Sequence, residues 1–352
     1  MNKILTKVKF ETDYQEGAHP RIFERLSARN FEQISGYGVD FYTKHAKDLM
    51  RNVMNNPNSE IFFVVGGTQA NSVVIDFLLR PFEAVVCVTS GHINTHEAGA
   101  IEATGHKIFA IPGKNGLLDV NDLKKFLENF YADSAYEHLA QPKVVYISHS
   151  SEYGTIYTKQ MLKNIKSVCE KYDLMLFIDG ARLGTALMSE ASDFDIKDLA
   201  ELCDVFYIGG TKNGAFMGEA IVFPKPEKFN LKNFRTLIKQ HVGLLAKGWL
   251  VGTQFEVLFE DGLYFKNAKH ADLQAMKIKK AFEDAKIPFL FESFTNQQFP
   301  ILTLEQHKKL SENFDYEVWE PFEEDKICVR FCTSWATTDE NIEKLINAIK
   351  TL

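Results

Sequence analysis

Nowhere in the 352 residues does an apolar run approach the ~18 that a membrane-spanning helix needs. The opening stretch MNKILTKVKFETDYQ scatters charges through itself and lacks the apolar centre of a secretory signal, so export is not expected. Positive charge is not in excess either. Against 40 Lys and Arg stand 47 Asp and Glu, a net charge of -7, which offers no basic field for a phosphate backbone and argues against nucleic acid as the main partner. Cysteine is scarce and odd in number: Cys87, Cys169, Cys203, Cys328 and Cys332 form no CxxC. Three of them stand among apolar neighbours in strand or helix patterns, which reads as free thiols in a reducing cytoplasm. Repeats, low-complexity tracts and a Pro/Gly/Ser linker are missing too, so any domain boundary is soft.

What is present is an ordinary globular composition, 45% hydrophobic and 25% charged, in a chain long enough for two domains in one compact unit. Short apolar runs fall at 61–65 (IFFVV), 84–88 (AVVCV), 107–111 (KIFAI), 143–148 (KVVYIS), 174–178 (LMLFI), 204–208 (DVFYI) and 219–223 (EAIVF). Amphipathic stretches such as DVNDLKKFLENFY and TKQMLKNIKSVCEKY separate most of them, which predicts a parallel sheet covered on both faces. The last two runs are too close for a helix between them and predict a hairpin with one antiparallel strand. After Phe223 a long helical stretch over about 227–287 is expected, then strands at FPILTL, YEVWE and KICVRFCT with helices near 304–313 and 338–351. The fold class is therefore α/β. A large domain over 20–240 carries a mostly parallel seven-stranded sheet, a smaller α+β domain spans 241–352, and residues 1–19 pack near the active site.

The chemistry concentrates where these strands end. IDGARLGTAL places Asp179 and Arg182 after one apolar strand, and FYIGGTKNG places Lys212 after another, at the carboxyl edge where α/β sheets bind ligands. Asp179 alone could cap the following helix, and Arg182 could simply pair with it. A lysine in a glycine-rich turn is poorly explained as core, however, and the three together are what a pyridoxal 5'-phosphate (PLP) enzyme requires: an amine for the aldehyde, a carboxylate for the pyridine nitrogen and a guanidinium for a substrate carboxylate. Gly66-Gly67-Thr68 opens an apolar-striped helix after the first strand. Such a start can cradle a phosphate, or it can be a tight turn and nothing more. His92, in SGHINTHEAGA, can lie over a flat ring or be a solvated histidine. His92 and His96 stand four apart beside Glu97, but the order is not HExxH and no third ligand suggests itself, so no metal is expected. His149 follows KVVYIS and either meets a ligand or stays a loop residue. Arg330, in an apolar strand, calls for a carboxylate from protein or substrate, or else faces solvent from an edge.

DGARL, GGTKNG, the Gly-Thr-x-x-Asn turn and SGHxxxxE resemble the low-specificity L-threonine aldolases, fold-type I PLP enzymes grouped with the β-eliminating lyases. The resemblance runs from TDYQEGAHP and GYGVDFYT to VRFCTSW. It implies Lys212 as the Schiff-base lysine, Asp179 on the pyridinium nitrogen, His92 stacked on the ring, and Gly67 and Thr68 at the phosphate. It further implies Arg182 and Arg330 on the substrate carboxylate, with Arg182 also near the phenolic oxygen, and Thr12 with Asp13 near the substrate. His149 matches a position that is histidine in one branch and glutamine in another, where it would serve as base for the substrate hydroxyl. A homotetramer built from dimers is implied as well. Two departures stand out. The lysine turn is GGTKNG rather than SLSKG, and His241 and Val242 occupy positions where small residues are more usual in a segment, KQHVGLLAKGW, that carries subunit contacts.

The activity so implied is retro-aldol cleavage of L-threonine, L-allo-threonine and similar β-hydroxy amino acids to glycine and an aldehyde, with His149, His92 or a water held by Glu97 taking the hydroxyl proton. Two other readings use the same residues. In a β-eliminating lyase the carbanion expels a β-substituent and yields pyruvate and ammonia, and a non-catalytic PLP carrier would need no substrate clamp.

Overall fold

A computed structural model describes residues 7–352. The first six residues of the N-terminal segment expected near the site lie outside the described residues. From residue 7 that segment starts as a two-residue strand, β1 (Val8–Lys9). The main sheet is built of β2 (Glu60–Val64), β3 (Glu83–Val88), β4 (Lys107–Ile111), β5 (Gln141–Ser148), β6 (Met175–Asp179), β7 (Val205–Gly209) and β8 (Glu219–Phe223), which correspond to the seven apolar runs. Their order is β2-β8-β7-β6-β5-β3-β4. The β3/β4, β3/β5, β5/β6 and β6/β7 pairs are parallel, and β8 runs antiparallel to both β7 and β2.

Period-two alternation distributes the continuous apolar runs to two faces. Val145, Ile147, Leu176, Ile178, Phe206, Ile208, Ala220 and Val222 enter one core cluster, and Val144, Tyr146, Phe177, Val205, Tyr207, Ile221 and Phe223 enter another. Each such aliphatic or phenyl side chain taken out of water contributes ~1.5–3 kcal/mol, which is why both sheet faces are covered by helices. Two covering helices carry side-chain caps: Thr158 accepts from the Met161 N–H at 3.2 Å, and Asp119 accepts from the Asn121 N–H at 2.7 Å. The helix Gly67–Leu78 differs, because its N-cap is Gly66 and no side chain caps it.

The long helix expected over 227–287 is broken into Phe234–Gln240, Trp249–Phe259 and Leu263–Asp284. Val242, Asp261 and Gly262 take left-handed backbone conformations at the interruptions, with φ of 62°, 53° and 66°, and no continuous helix can pass through them. The smaller sheet comprises β9 (Gln297–Gln298), β10 (Ile301–Thr303), β12 (Glu317–Glu323) and β13 (Lys326–Cys332), while β1 pairs in parallel with β11 (Phe314–Asp315). Val251 to Tyr264 pack into the first core cluster, and a third cluster gathers Phe10 with Ile278 to Ile349. A cut at 240 therefore separates Val251–Tyr264 from the core they fill, and helix Leu263–Asp284 passes from one body to the other. Among the described residues, no helix is long and apolar enough to cross a membrane.

Candidate active site

The carboxyl ends of β2, β3, β5, β6 and β7 open on one cavity of about 660 Å³, where the smaller sheet leans over the larger. Gly66, Gly67 and Thr68 come to its wall after β2, His92 and His96 after β3, Glu152 after β5, Arg182 after β6 and Lys212 after β7. Glu317, Trp319 and Arg330 close it from the smaller domain, and Tyr14 from the N-terminal segment. At the β2 end the helix Gly67–Leu78 points its uncapped N-terminus at the cavity, a ready anion site in a helix of 12 residues. A Cβ on Gly67 would come to 3.0 Å from the Tyr207 hydroxyl, so the backbone lies close against the sheet here.

Asp179 sits just behind the wall, 3% exposed, with four donors. Its Oδ2 accepts from Tyr146 Oη at 2.6 Å and Asn71 Nδ2 at 2.9 Å, and its Oδ1 accepts from Ala181 N at 2.9 Å and from Tyr207 Oη. Burial alone would raise its pKa. His92 and the hydrogen bonds from Tyr146, Tyr207 and Ala181 outweigh burial, and the carboxyl stays below its ordinary value. His92 Nδ1 is 2.8 Å from Glu97 Oε1, which also accepts from Asn71 Nδ2 at 2.7 Å. The fold thus brings His92, Glu97 and Asp179 together, with candidate ligand atoms within 4.8 Å of one another, Asp179 being a third potential ligand that spacing did not suggest. The Asn71 amide already lies between the two carboxylates and donates to both, so a proton donor joins them where a cation would have to sit.

Arg182 is not simply paired with Asp179. Its Nε and Nη2 donate to Asp13 at 2.6 and 3.0 Å, and Asn296 Nδ2 donates to the same carboxylate at 2.9 Å. Burial opposes the charge on Asp13, but Arg182 and Lys212 hold its carboxyl well below the usual range. Thr12 lies beside it, with Oγ1 buried and without a hydrogen-bond partner. Arg330 finds its carboxylate in Glu317, donates to Gln297 Oε1 and Glu11 O at 3.2 Å each, and stacks 5.2 Å over Trp319.

Lys212 lies in a single turn, Thr211–Asn213, and its amine is pushed below its ordinary pKa by burial and then by Arg182. Beneath it Glu219, buried, accepts from Gly210 N at 2.9 Å, and burial lifts its carboxyl to about 8. Glu152 Oε1 accepts from Ser148 Oγ at 2.6 Å and His92 N at 3.0 Å.

His149 requires a correction. It is fully buried, stacks 5.3 Å from Phe194 with Tyr157 tilted 6.2 Å away, does not line the cavity, and is driven by burial to a pKa of about 4. β5 continues past Ser148 toward the interior, because the His149 N–H still bonds to Asp179 O at 2.9 Å. A histidine in that place cannot take a proton from a ligand in the cavity. Conversely, Tyr146, Tyr207, Glu152 and Glu219 join the site without a place in the motifs, and Asn71 enters only as the last residue of the Gly-Thr-x-x-Asn turn. The two tyrosines did carry a signal, since a hydroxyl inside a buried strand needs a partner. Glu152 and Glu219 carried none beyond being acids near strand ends.

The Beta-eliminating lyase family profile matches residues 10–304. The chain is 30% identical over 286 residues to the low specificity L-threonine aldolase of Pseudomonas sp. (strain NCIMB 10558), a span covering 78% of each chain. A solved threonine aldolase from Leishmania major superposes with a TM-score of 0.94 at 40% identity, covering 98% of this chain and 99% of that one. A serine palmitoyltransferase from S. paucimobilis with bound PLP, 14% identical, shares the fold at a TM-score of 0.71 over 98% of this chain and 87% of its own.

Proposed function

The chain belongs to the β-eliminating lyase family, and from that premise we propose that it is a PLP-dependent aldolase cleaving L-threonine, L-allo-threonine and similar β-hydroxy-α-amino acids to glycine and an aldehyde. One observation supports this above the others: a lysine amine in the cavity wall with an ionised, fully hydrogen-bonded aspartate at the neighbouring strand end. The residues present fit the cofactor. The uncapped helix start with close-lying Gly67 suits a phosphate, Asp179 suits a pyridine nitrogen, and the cavity of about 660 Å³ has room for a ring and an amino acid.

When bound, PLP supplies an electron sink for the charge that develops at Cα. Lys212, its amine pKa lowered by burial, presents more of the free base needed for covalent attachment. Asp179, kept ionised by its four donors, holds a proton at the pyridine nitrogen. Thr68 and the Gly67 backbone take the phosphate. His92, pinned through Nδ1 by Glu97, presents its face to the ring. Arg182 spends Nε and Nη2 on Asp13 and keeps Nη1 for the substrate carboxylate. Arg330 completes that clamp, with the half-exposed Glu317 standing where the substrate carboxylate would displace it. Thr12 brings an unpartnered hydroxyl to the same side. Two guanidinium contacts fix the rotation about N–Cα and so choose which bond to Cα breaks; orientation of this kind can lower a barrier by ~7–11 kcal/mol.

The same reading places the enzyme in the cytoplasm, in keeping with five buried free cysteines, and makes it a homotetramer. Apolar side chains left exposed along 23–42 include Phe23, Phe31, Val39 and Phe41, and Phe23 shares a groove with Ile34, Trp249 and Leu250; a second subunit would cover them.

The test is the absorbance spectrum of purified protein and of Lys212→Ala, followed by L-threonine with alcohol dehydrogenase to trap acetaldehyde. A visible-edge band dependent on Lys212, with acetaldehyde released and turnover abolished in the variant, is expected. Pyruvate and ammonia from another β-substituted amino acid, without acetaldehyde, would move the assignment to β-elimination. No band after PLP addition would defeat both.

A further inference from the structure

With His149 walled off, the cavity needs another base for the substrate's β-oxygen, and the wall residues can be compared one by one. Lys212 is reserved for attachment. Glu219 is held by the Gly210 N–H, and Glu317 is paired with Arg330. The His92 ring is tied through Nδ1 to Glu97. Glu152 is held on two sides: its Oε1 accepts from Ser148 Oγ and from the His92 N–H, Ser148 Oγ lies 3.3 Å from Tyr146 Oη, and Tyr146 donates to Asp179. Glu152 is thereby tied into the hydrogen-bond network around the carboxylate expected at the ring nitrogen.

His96 remains. It follows His92 by one turn, with ring centroids 5.6 Å apart and planes tilted 50°. Its side chain is exposed to the cavity and takes part in no hydrogen bond among the described residues, so both ring nitrogens are free to meet a ligand. The charged groups acting on it are His92 from its own turn, Glu317 and Arg330 from the smaller sheet, and Lys212 from the turn after β7. Those are the groups of the attachment and carboxylate-clamp end. Burial, and then His92, hold the imidazole below its ordinary pKa, so at neutral pH it is a free base.

Resting on the aldolase reading above, we infer that His96 is the general base that takes the proton of the substrate's β-hydroxyl. The O–H bond breaks as an imidazole nitrogen of His96 accepts the proton. The oxygen's pair closes the aldehyde C=O, and the Cα–Cβ pair stays on Cα, which then takes up one proton. His96 returns its proton to solvent, so threonine yields glycine and acetaldehyde with no net proton change. In the synthetic direction the protonated ring delivers that proton to the aldehyde oxygen.

The test is His96→Gln in the PLP-loaded enzyme, read on three scales. Threonine cleavage should fall by ~10²–10⁴ in kcat, the usual share of a positioned base. Exchange of the glycine α-proton in D₂O, which needs no hydroxyl base, should stay within a few-fold of wild type. The glycine dissociation constant, read from the cofactor absorbance change, should be unaltered and so certify an intact site. The acid limb of kcat/KM in wild type should lie below the ordinary histidine value and vanish in the variant. Cleavage within a few-fold of wild type would overturn the assignment, and Glu152→Gln losing cleavage instead would transfer the role. Equal losses of cleavage and glycine exchange would also overturn it, by showing a positioning effect. Failure of the wild type to release acetaldehyde would defeat the aldolase reading rather than the choice of base.

Discussion

Single residues in the site work under opposed electrostatic demands, and Glu219 shows this most openly. A carboxyl that titrates near 4.5 in the unfolded chain and at about 8 in the folded one binds more protons folded than unfolded across that window. Stability contributed at this position is therefore greatest below 4.5, falls as pH rises and levels off above 8. Glu219→Gln, which keeps an acceptor for the Gly210 N–H, is expected to unfold at higher denaturant than wild type at pH 8 in the cofactor-free protein, with the gap closing by pH 4.5; urea titrations at the two pH values check it. That Lys212, Asp179 and Arg182 fall at strand ends was legible from sequence because each is an ionisable group stranded after an apolar run. The partner of Arg182 was not, because Asp13 lies 169 residues away and nothing local marks it. His149 misled for a related reason: sequence places a residue after a strand but does not say whether the chain has yet left the interior.

At the level of elements, the glycines of DGARL and FYIGG do something spacing could not reveal. The structure shows backbone against backbone there. A Cβ on Gly180 would lie 1.8 Å from Tyr207 O, and one on Gly209 would lie 2.3 Å from Ala181 O. The ends of β6 and β7 meet there, with the Gly209 N–H bonded to Gly180 O at 2.9 Å, and this contact sets Asp179 and Lys212 side by side. Gly180→Ala should therefore cost about 3 kcal/mol or more, at the upper end of overpacking, and weaken cofactor binding along with stability. Denaturant midpoints with a PLP titration would measure both. The seven strands were readable because apolar runs bounded by turns are strong signals. The break of the 227–287 helix was not, because Val242 and Asp261, left-handed in the fold, look like ordinary helix residues in a string.

For the whole molecule, the mostly parallel sheet with a smaller α+β domain followed from the order of the elements, while the place where the two bodies meet did not. Packing assigns Val251–Tyr264 to the larger core although they follow the residue at which the pattern changes. Subunit association belongs to this scale. Sedimentation velocity is expected to give a multiple of the chain mass, and Phe41→Asp, at a side chain 72% exposed, should shift the protein toward single chains while leaving its circular dichroism unchanged. A single-chain mass for the wild type would remove the oligomer from the proposal.

Residues 8–13 touch both bodies within six positions. β1 is stitched to β11 of the smaller domain, and Asp13 grips Arg182 of the larger one while taking a hydrogen bond from Asn296. The strand behaves as a short inextensible cord, since even a fully drawn chain spans only ~3.3–3.6 Å per residue. Any tilt of the smaller domain must pull through Asp13 on the guanidinium of Arg182. The grip proposed for Arg182 on a substrate carboxylate would thus be mechanically geared to the angle between the domains, and a protease nick before Asp13 would disengage the gear with every wall residue still in place.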